Sequence, residues 1–157
     1  MAPTEVAAVN ISGTTIYSAL GIPVDCRGLQ VPKLTDKRRC TLRVELEELQ
    51  AMIIDEVSMV SNKLLLYIHQ RLLDIFGYST SLVKPFAGIT VIVVGDLYQL
   101  PSVLQRPAYA DYYDEIYNIH NLWRLFRMCE LTEIMRKKGD ATFIDLLNNI
   151  RIGKPTD

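Results

Sequence analysis

The sequence predicts an α/β domain built on a parallel sheet. Three observations carry this. Ala51–Ile54 and Ile89–Val94 are short, continuous apolar runs, and the second is almost entirely β-branched. Such runs suit strands buried on both faces. Between them lies one helical pattern, with Leu65, Ile68, Leu72 and Ile75–Phe76 on a shared face. Both runs end in acid, Asp55-Glu56 after the first and Gly95-Asp96 after the second. A strand, a crossover helix and a second strand pair in parallel, which sets both strand exits on one edge of the sheet.

The remaining elements follow from local signals. Residues 5–20 read as short helical pieces broken at Ser12-Gly13. Residues 21–40 contain Pro23, Gly28 and Pro32 and then Lys33, Lys37, Arg38 and Arg39, and read as a loop with a basic end. Leu42, Leu46 and Leu49 mark one helix face over 41–50. Ser61 is placed to cap the crossover helix and Gly77 to stop it. Residues 78–88 read as a loop with Pro85 and Gly88. The tyrosine-rich stretch 109–126 turns helical towards Leu122–Phe126, and Met128–Leu131 is a candidate strand. Asp140 is a candidate N-cap for a helix through Ile150, with Phe143, Leu146, Leu147 and Ile150 inward and Gly153 and Pro155 ending it. His69 is expected on a helix surface, His120 in a loop and Trp123 in the core.

Composition narrows the function classes. The 157 residues suit one domain or a piece of one. Apolar residues make up 49% and charged residues 22%, which argues against disorder. Seventeen basic and eighteen acidic side chains leave a net charge of -1, so any nucleic-acid contact must be a local patch. The basic run from Lys33 to Arg43 is one such patch, although Glu45, Glu47 and Glu48 balance it. Cys26, Cys40 and Cys129 are too dispersed for a zinc site or a disulfide framework. No apolar run approaches the ~20 residues of a membrane span, and Met1–Glu5 shows no secretory signal. An intracellular location without a membrane partner is the expectation.

The chemistry concentrates at the two acidic strand ends. In parallel α/β sheets, ligands bind beyond the carboxyl ends of the strands. A carboxylate there suits Mg²⁺, and a neighbouring one can position a water. An Asp-Glu turn after a core strand has the same letters, so Asp55-Glu56 alone is weak. Gly95-Asp96-Leu97-Tyr98-Gln99-Leu100-Pro101 is the second signal, about forty residues on. An amide such as Gln99 can sense a phosphate oxygen without neutralising a metal.

These segments resemble a known family. Asp55-Glu56-Val57-Ser58-Met59-Val60 is similar to motif II of the petite-integration-frequency helicases, ATP-dependent DNA helicases of superfamily one in the 5′-to-3′, RecD-like branch. Gly95 through Val103 resembles their motif III, with Ser102 where a second proline is usual. Ala2-Pro3-Thr4 through Ala7-Ala8, Asn10-Ile11, Gly13 and Thr15-Ile16 resembles motif Ia, with Glu5 for the usual glycine and Tyr17 for the usual histidine. Leu131-Thr132-Glu133 through Arg136, then Asp140, Phe143, Leu147 and Ile150-Arg151, resembles motif IV, with Lys137 for glutamine. The four motifs stand in family order across nearly the whole chain. Residues 25–45 and 104–122 diverge.

The resemblance implies a partial RecA-like, three-layer domain that lacks its phosphate-loop strand. No G-x-x-x-x-G-K-[ST] occurs in the sequence. The family carries that loop upstream of motif Ia and a second RecA-like domain after motif IV, so residues 1–157 are expected to be an incomplete first motor domain, its partners including the missing parts of its own parent chain. The strand at 89–94 is then expected to expose an unpaired edge. By the same resemblance Asp55 holds Mg²⁺, Glu56 activates the water that attacks ATP, Gln99 contacts the γ-phosphate and Arg136 places charge on it. Pro3, Thr4, Asn10, Gly13, Thr14 and Thr15 face single-stranded DNA or a DNA junction. The implied function is DNA unwinding in repair, recombination or genome maintenance, telomere maintenance included, in the nucleus or the mitochondrion. The competing reading is a non-catalytic nucleic-acid-binding or assembly module that kept the fold and lost hydrolysis.

Overall fold

The computed structural model describes residues 1–26, 28, 30–77, 84–103, 105–111, 113–114, 119–133, 146–150 and 153–154. The chain divides into two compact units, Met1–Leu125 and Phe126–Asp157. The first holds helices α1 (Glu5–Asn10), α2 (Ile16–Leu20), α3 (Asp36–Glu45) and α4 (Asn62–Phe76). Its strands are β1 (Ala51–Ile54), β2 (Thr90–Val93), β3 (Tyr113–Asp114) and β4 (Ile119–His120).

The expected strand–helix–strand unit is present. β1 and β2 pair in parallel, Met52 opposite Val91 and Ile54 opposite Val93. The other edge of β1 is met by Met1, whose ammonium donates to the Ile53 carbonyl at 2.6 Å and whose carbonyl accepts from the Asp55 amide at 2.9 Å. Among the described residues β2 has no second neighbour. Burial follows the pleat rather than the expected burial on both faces. Met52 and Ile54 are buried, whereas Ile53 is 52% exposed and Ile92 47%. Successive side chains alternate across a strand, so one face packs on the domain and the other stays uncovered among the described residues.

α4 is the centre of the core. The Ser61 hydroxyl accepts from the Leu64 amide at 3.0 Å, and Gly77, at φ 73°, ends the helix. Leu65, Ile68, Leu72 and Ile75 are buried, as the periodicity predicts. So are His69, Gln70 and Arg71, because α2, α3 and the 3-10 turns Pro85–Gly88 and Leu122–Leu125 pack around the helix. This corrects the expected surface position of His69. Its Nδ1 accepts from the Phe86 amide at 3.0 Å and its ring meets Phe86 edge-on. Arg71 donates to the Asp74 carboxylate at 3.0 Å and to the carbonyls of Gly21 and Pro32 at 3.1 and 2.8 Å. Asp74 in turn accepts from the Leu34 amide, and Gln70 from the Val31 amide. These polar contacts fasten Gly21, Val31, Pro32 and Leu34 to α4.

Several boundaries differ from expectation. The basic run is helical, not a loop, because the Thr35 side chain caps α3 at the Arg38 amide. The helix placed at 41–50 therefore starts earlier and ends at Glu45, with only Leu42 fully buried. His120 lies in β4, which pairs antiparallel with β3. Trp123 is half-buried, edge-on to Tyr109, in the 3-10 turn Leu122–Leu125. In the second unit Met128–Leu131 carries no regular structure, and Met128 and Leu131 are exposed. Residues 146–150 are helical, but Leu146, Leu147 and Ile150 are exposed rather than inward, since nothing among the described residues covers that stripe. Asp140, Phe143, Arg151 and Pro155 lie outside the described residues. No described helix is long and apolar enough to cross a membrane.

Candidate functional site

The two strand exits are laced together. Asp55 and Glu56 follow β1, and Gly95 and Asp96 follow β2 on the same sheet edge. Glu56 adopts the left-handed conformation, φ 54° and ψ 48°. Its amide donates to Asp55 Oδ1 at 2.9 Å and its carbonyl accepts from the Met59 amide at 3.0 Å. The Val57 amide donates across to the Val94 carbonyl at 3.0 Å. A non-glycine residue in this region is strained and persists only where its surroundings over-determine it. Gly95 supplies that constraint. A Cβ there would stand 2.7 Å from the Val57 nitrogen, so only glycine lets the exits approach this closely.

Beyond Gly95 the chain turns on Asp96. Its Oδ1 accepts from the Tyr98 amide at 3.0 Å and its carbonyl accepts from the Gln99 amide at 3.0 Å. This side-chain-stabilised turn presents Tyr98 and Gln99 to solvent.

The N-terminal segment faces the same region. The Thr4 hydroxyl caps α1 by accepting from the Ala7 amide at 3.3 Å, and the Thr15 hydroxyl caps α2 by accepting from the Ser18 amide at 3.2 Å. Both threonines thus have structural tasks. Ala7 and Ala8 pack with Ala2 in the core, so their small size serves packing. Asn10, Gly13 and Thr14 are exposed, and Pro3 is half-buried.

Thr4 and Asn10, Glu56, and Gln99 line one cleft of about 460 Å³. Three segments far apart in sequence therefore converge on one space. Pro3, Asp55, Gly13, Thr14 and Thr15 are not among its lining residues. Arg136 lies outside the described residues. Sequence reasoning missed Val6, Met59, Tyr98 and Leu100, which supply apolar wall. The adjacency of Tyr98 and Leu100 to Gln99 in the sequence was the available signal.

The carboxylates suit one kind of metal. No described group of three His, Cys, Asp or Glu side chains could cage an ion. Mg²⁺ needs no cage, being held through one or two carboxylates with waters and phosphate oxygens. Asp55, with one oxygen spent on the Glu56 amide, fits that role. The basic run is partly committed elsewhere. Arg39 pairs with Asp36 and Asp74, and Arg43 Nε donates to the Ile75 carbonyl at the end of α4.

A family model described as PIF1-like helicase matches residues 1–157. The chain belongs to the PIF1-like helicase family. It is 33% identical, over 163 residues, to the ATP-dependent DNA helicase PIF1 of Candida albicans, covering 99% of this chain and 18% of that protein. Bacteroides Pif1 bound to ssDNA is 33% identical with a TM-score of 0.72, over 99% of this chain and 36% of that one. Bacteroides Pif1 in complex with ADP-AlF3 and ssDNA is 29% identical with a TM-score of 0.68, over 99% and 36%. The PIF1-like fold here is thus a partial RecA-like α/β domain. The chain spans less than a quarter of the curated relatives it matches, 18% and 23% of two of them.

Proposed function

We propose that this chain is the central part of the first motor domain of an ATP-dependent DNA helicase that moves 5′ to 3′ on a single strand. The observation that carries the reading is the convergence of Thr4 and Asn10, Glu56, and Gln99 on one cleft. A motor must couple nucleotide state to its grip on DNA, and one shared cleft gives that coupling a physical path.

Glu56 is the general base. Its strained backbone, held by the Asp55 carboxylate and by the Val57–Val94 bond, fixes its position before substrate arrives. Asp55 is the residue that would hold Mg²⁺, which when bound would neutralise phosphate charge. Gln99, on the turn fixed by Asp96, meets the terminal phosphate and reports its presence to the strand-binding side. Arg136 supplies guanidinium charge to the same phosphate. Asn10, Gly13 and Thr14 are exposed beside α1 and α2 and contact the strand backbone, joined by Pro3, Thr4 and Thr15 at the helix starts. The phosphate loop and the second RecA-like domain come from further parts of the parent chain. Work on nuclear or mitochondrial DNA is the cellular setting.

Strand binding tests the reading. Titration of the chain with labelled single-stranded and duplex oligonucleotides at two salt concentrations should show weak binding that prefers the single strand. That binding should weaken steeply with salt, because phosphate contacts release counterions. Tight, salt-insensitive or duplex-preferring binding would exclude it.

A further inference from the structure

One buried polar group of the cleft has no role above. Ser58 lies in the 3-10 turn Val57–Met59, directly after the strained Glu56. It is 6% exposed, and its Oγ has no hydrogen-bond partner among the described residues. A buried hydroxyl left unpaired costs stability, so it calls for an explanation, and a functional site is where one is expected. Ser58 lines the same cleft as Glu56 and Gln99. It also lines a small void behind Leu97 and Pro101, in which Glu56 takes no part. Of the residues lining either space, Ser58 is the one common to both. The side chain therefore sits against the segment 97–101 that carries Gln99.

Gln99 needs such a neighbour. Its carboxamide has a donor end and an acceptor end of nearly the same shape. A phosphate oxygen accepts hydrogen bonds, so only the NH₂ end serves it, and a carboxamide turned the other way would present Oε1 and repel it. The Asp96 turn holds Gln99 by its backbone amide, which fixes the residue and not the far end of its exposed side chain. A hydroxyl that donates to Oε1 selects the useful orientation and leaves the NH₂ for the phosphate.

We propose that Ser58 is a positioning residue for the terminal phosphate of ATP: its Oγ–H donates to Gln99 Oε1 and so turns the Gln99 NH₂ towards that phosphate. This rests on the nucleotide half of the proposed function. The bond forms when the terminal phosphate draws the carboxamide inward, and ADP, which lacks that phosphate, does not call it up. The hydroxyl that the fold leaves unpaired is then a stability cost kept for this task.

Stability and kinetics test it together. In the 157-residue chain, Ser58→Ala should leave the urea midpoint unchanged or raise it, because no bond is lost. In the longer helicase proposed above, Ser58→Ala should lower kcat/KM for ATP by roughly 2- to 13-fold, the net worth of one hydrogen bond, and leave the inhibition constant of ADP unchanged. Adding Ser58→Ala to Gln99→Ala should cost nothing further, because the hydroxyl acts through that carboxamide. A lowered urea midpoint overturns the inference, since it means a structural bond at Ser58. So does an unchanged kcat/KM, an ADP constant that weakens in step with ATP, or a full Ser58→Ala loss in the Gln99→Ala background. Gln99→Ala alone separates this inference from the reading it rests on. Wild-type kcat/KM in Gln99→Ala means that the proposed phosphate contact itself fails, and the inference with it. A loss in Gln99→Ala with none in Ser58→Ala overturns the inference and leaves that contact standing.

Discussion

Gly95→Ala is the sharpest structural test of how the site is built. The new Cβ would lie 2.7 Å from the Val57 nitrogen and 3.2 Å from Val57 Cγ1, at φ +150°. The first of these contacts is with backbone, so the Glu56–Val57 turn must move. Strained backbone costs about 1–3 kcal/mol, and overpacking adds about 1–3 kcal/mol. The sum, roughly 2–6 kcal/mol, is a large fraction of the ~5–15 kcal/mol that stabilises a small domain. Gly77→Ala is the control. It also has positive φ, 73°, but its one close neighbour is Arg43 Nη2 at 3.2 Å, the free end of a flexible side chain. Its cost should be about 1–2 kcal/mol. With a urea slope of about 1–3 kcal/mol/M, Gly95→Ala should lower the unfolding midpoint of the 157-residue chain by on the order of 1 M or more. Gly77→Ala should lower it by less than half as much. If the two variants unfold at the same midpoint, the locked exits do not exist in solution.

Two further outcomes follow from the core of the first unit. Arg71→Met strips Asp74 of its buried partner and the Gly21 and Pro32 carbonyls of their donor, so it should destabilise by about 3–5 kcal/mol in urea, with Asp74→Leu in the same chain recovering part of the loss. Burial raises the Tyr17 phenol above its ordinary value, so folding favours the protonated form. Its contribution is complete below ~10 and lost as pH rises through the folded value. Alkaline titration of stability should therefore be shallower in Tyr17→Phe than in the wild type.

What could be read from the letters divides by how local the signal is. β1, α4 and β2 each carry their own pattern, and Ser61 and Gly77 mark the ends of α4, so their type and order were legible. α3 was hidden because Pro32 and a basic run read as loop, although Thr35-Asp36 held the cap and the first-turn acid. The burial of His69 and Arg71 was not legible. It depends on the Gly21 and Pro32 carbonyls meeting Arg71 and on the 3-10 turn at Phe86 meeting His69, and no periodicity within α4 reports either. The same division holds for the site. Parallel pairing of two acid-ended strands put Glu56 and Asp96 at one edge, as expected. The left-handed turn at Glu56 depends on a contact between Gly95 and Val57, which lie far apart in sequence. Thr4 and Thr15 show the ambiguity of polar residues, since the letters that suit a phosphate contact also suit a helix cap. The cover expected on both faces of the sheet was read from apolar runs alone, and a run cannot say whether a second layer lies within the same stretch of chain.

In the proposed function the laced strand exits hold a hydrolytic base, Glu56. The direct measurement is single-strand-stimulated ATP hydrolysis by the longer helicase proposed above, wild type against Glu56→Gln. The amide keeps the shape and removes the basic oxygen. Hydrolysis should fall by about 10²–10⁴-fold, the usual worth of a general base, with single-strand affinity within a few-fold of wild type. Hydrolysis at the wild-type rate in Glu56→Gln would contradict the account.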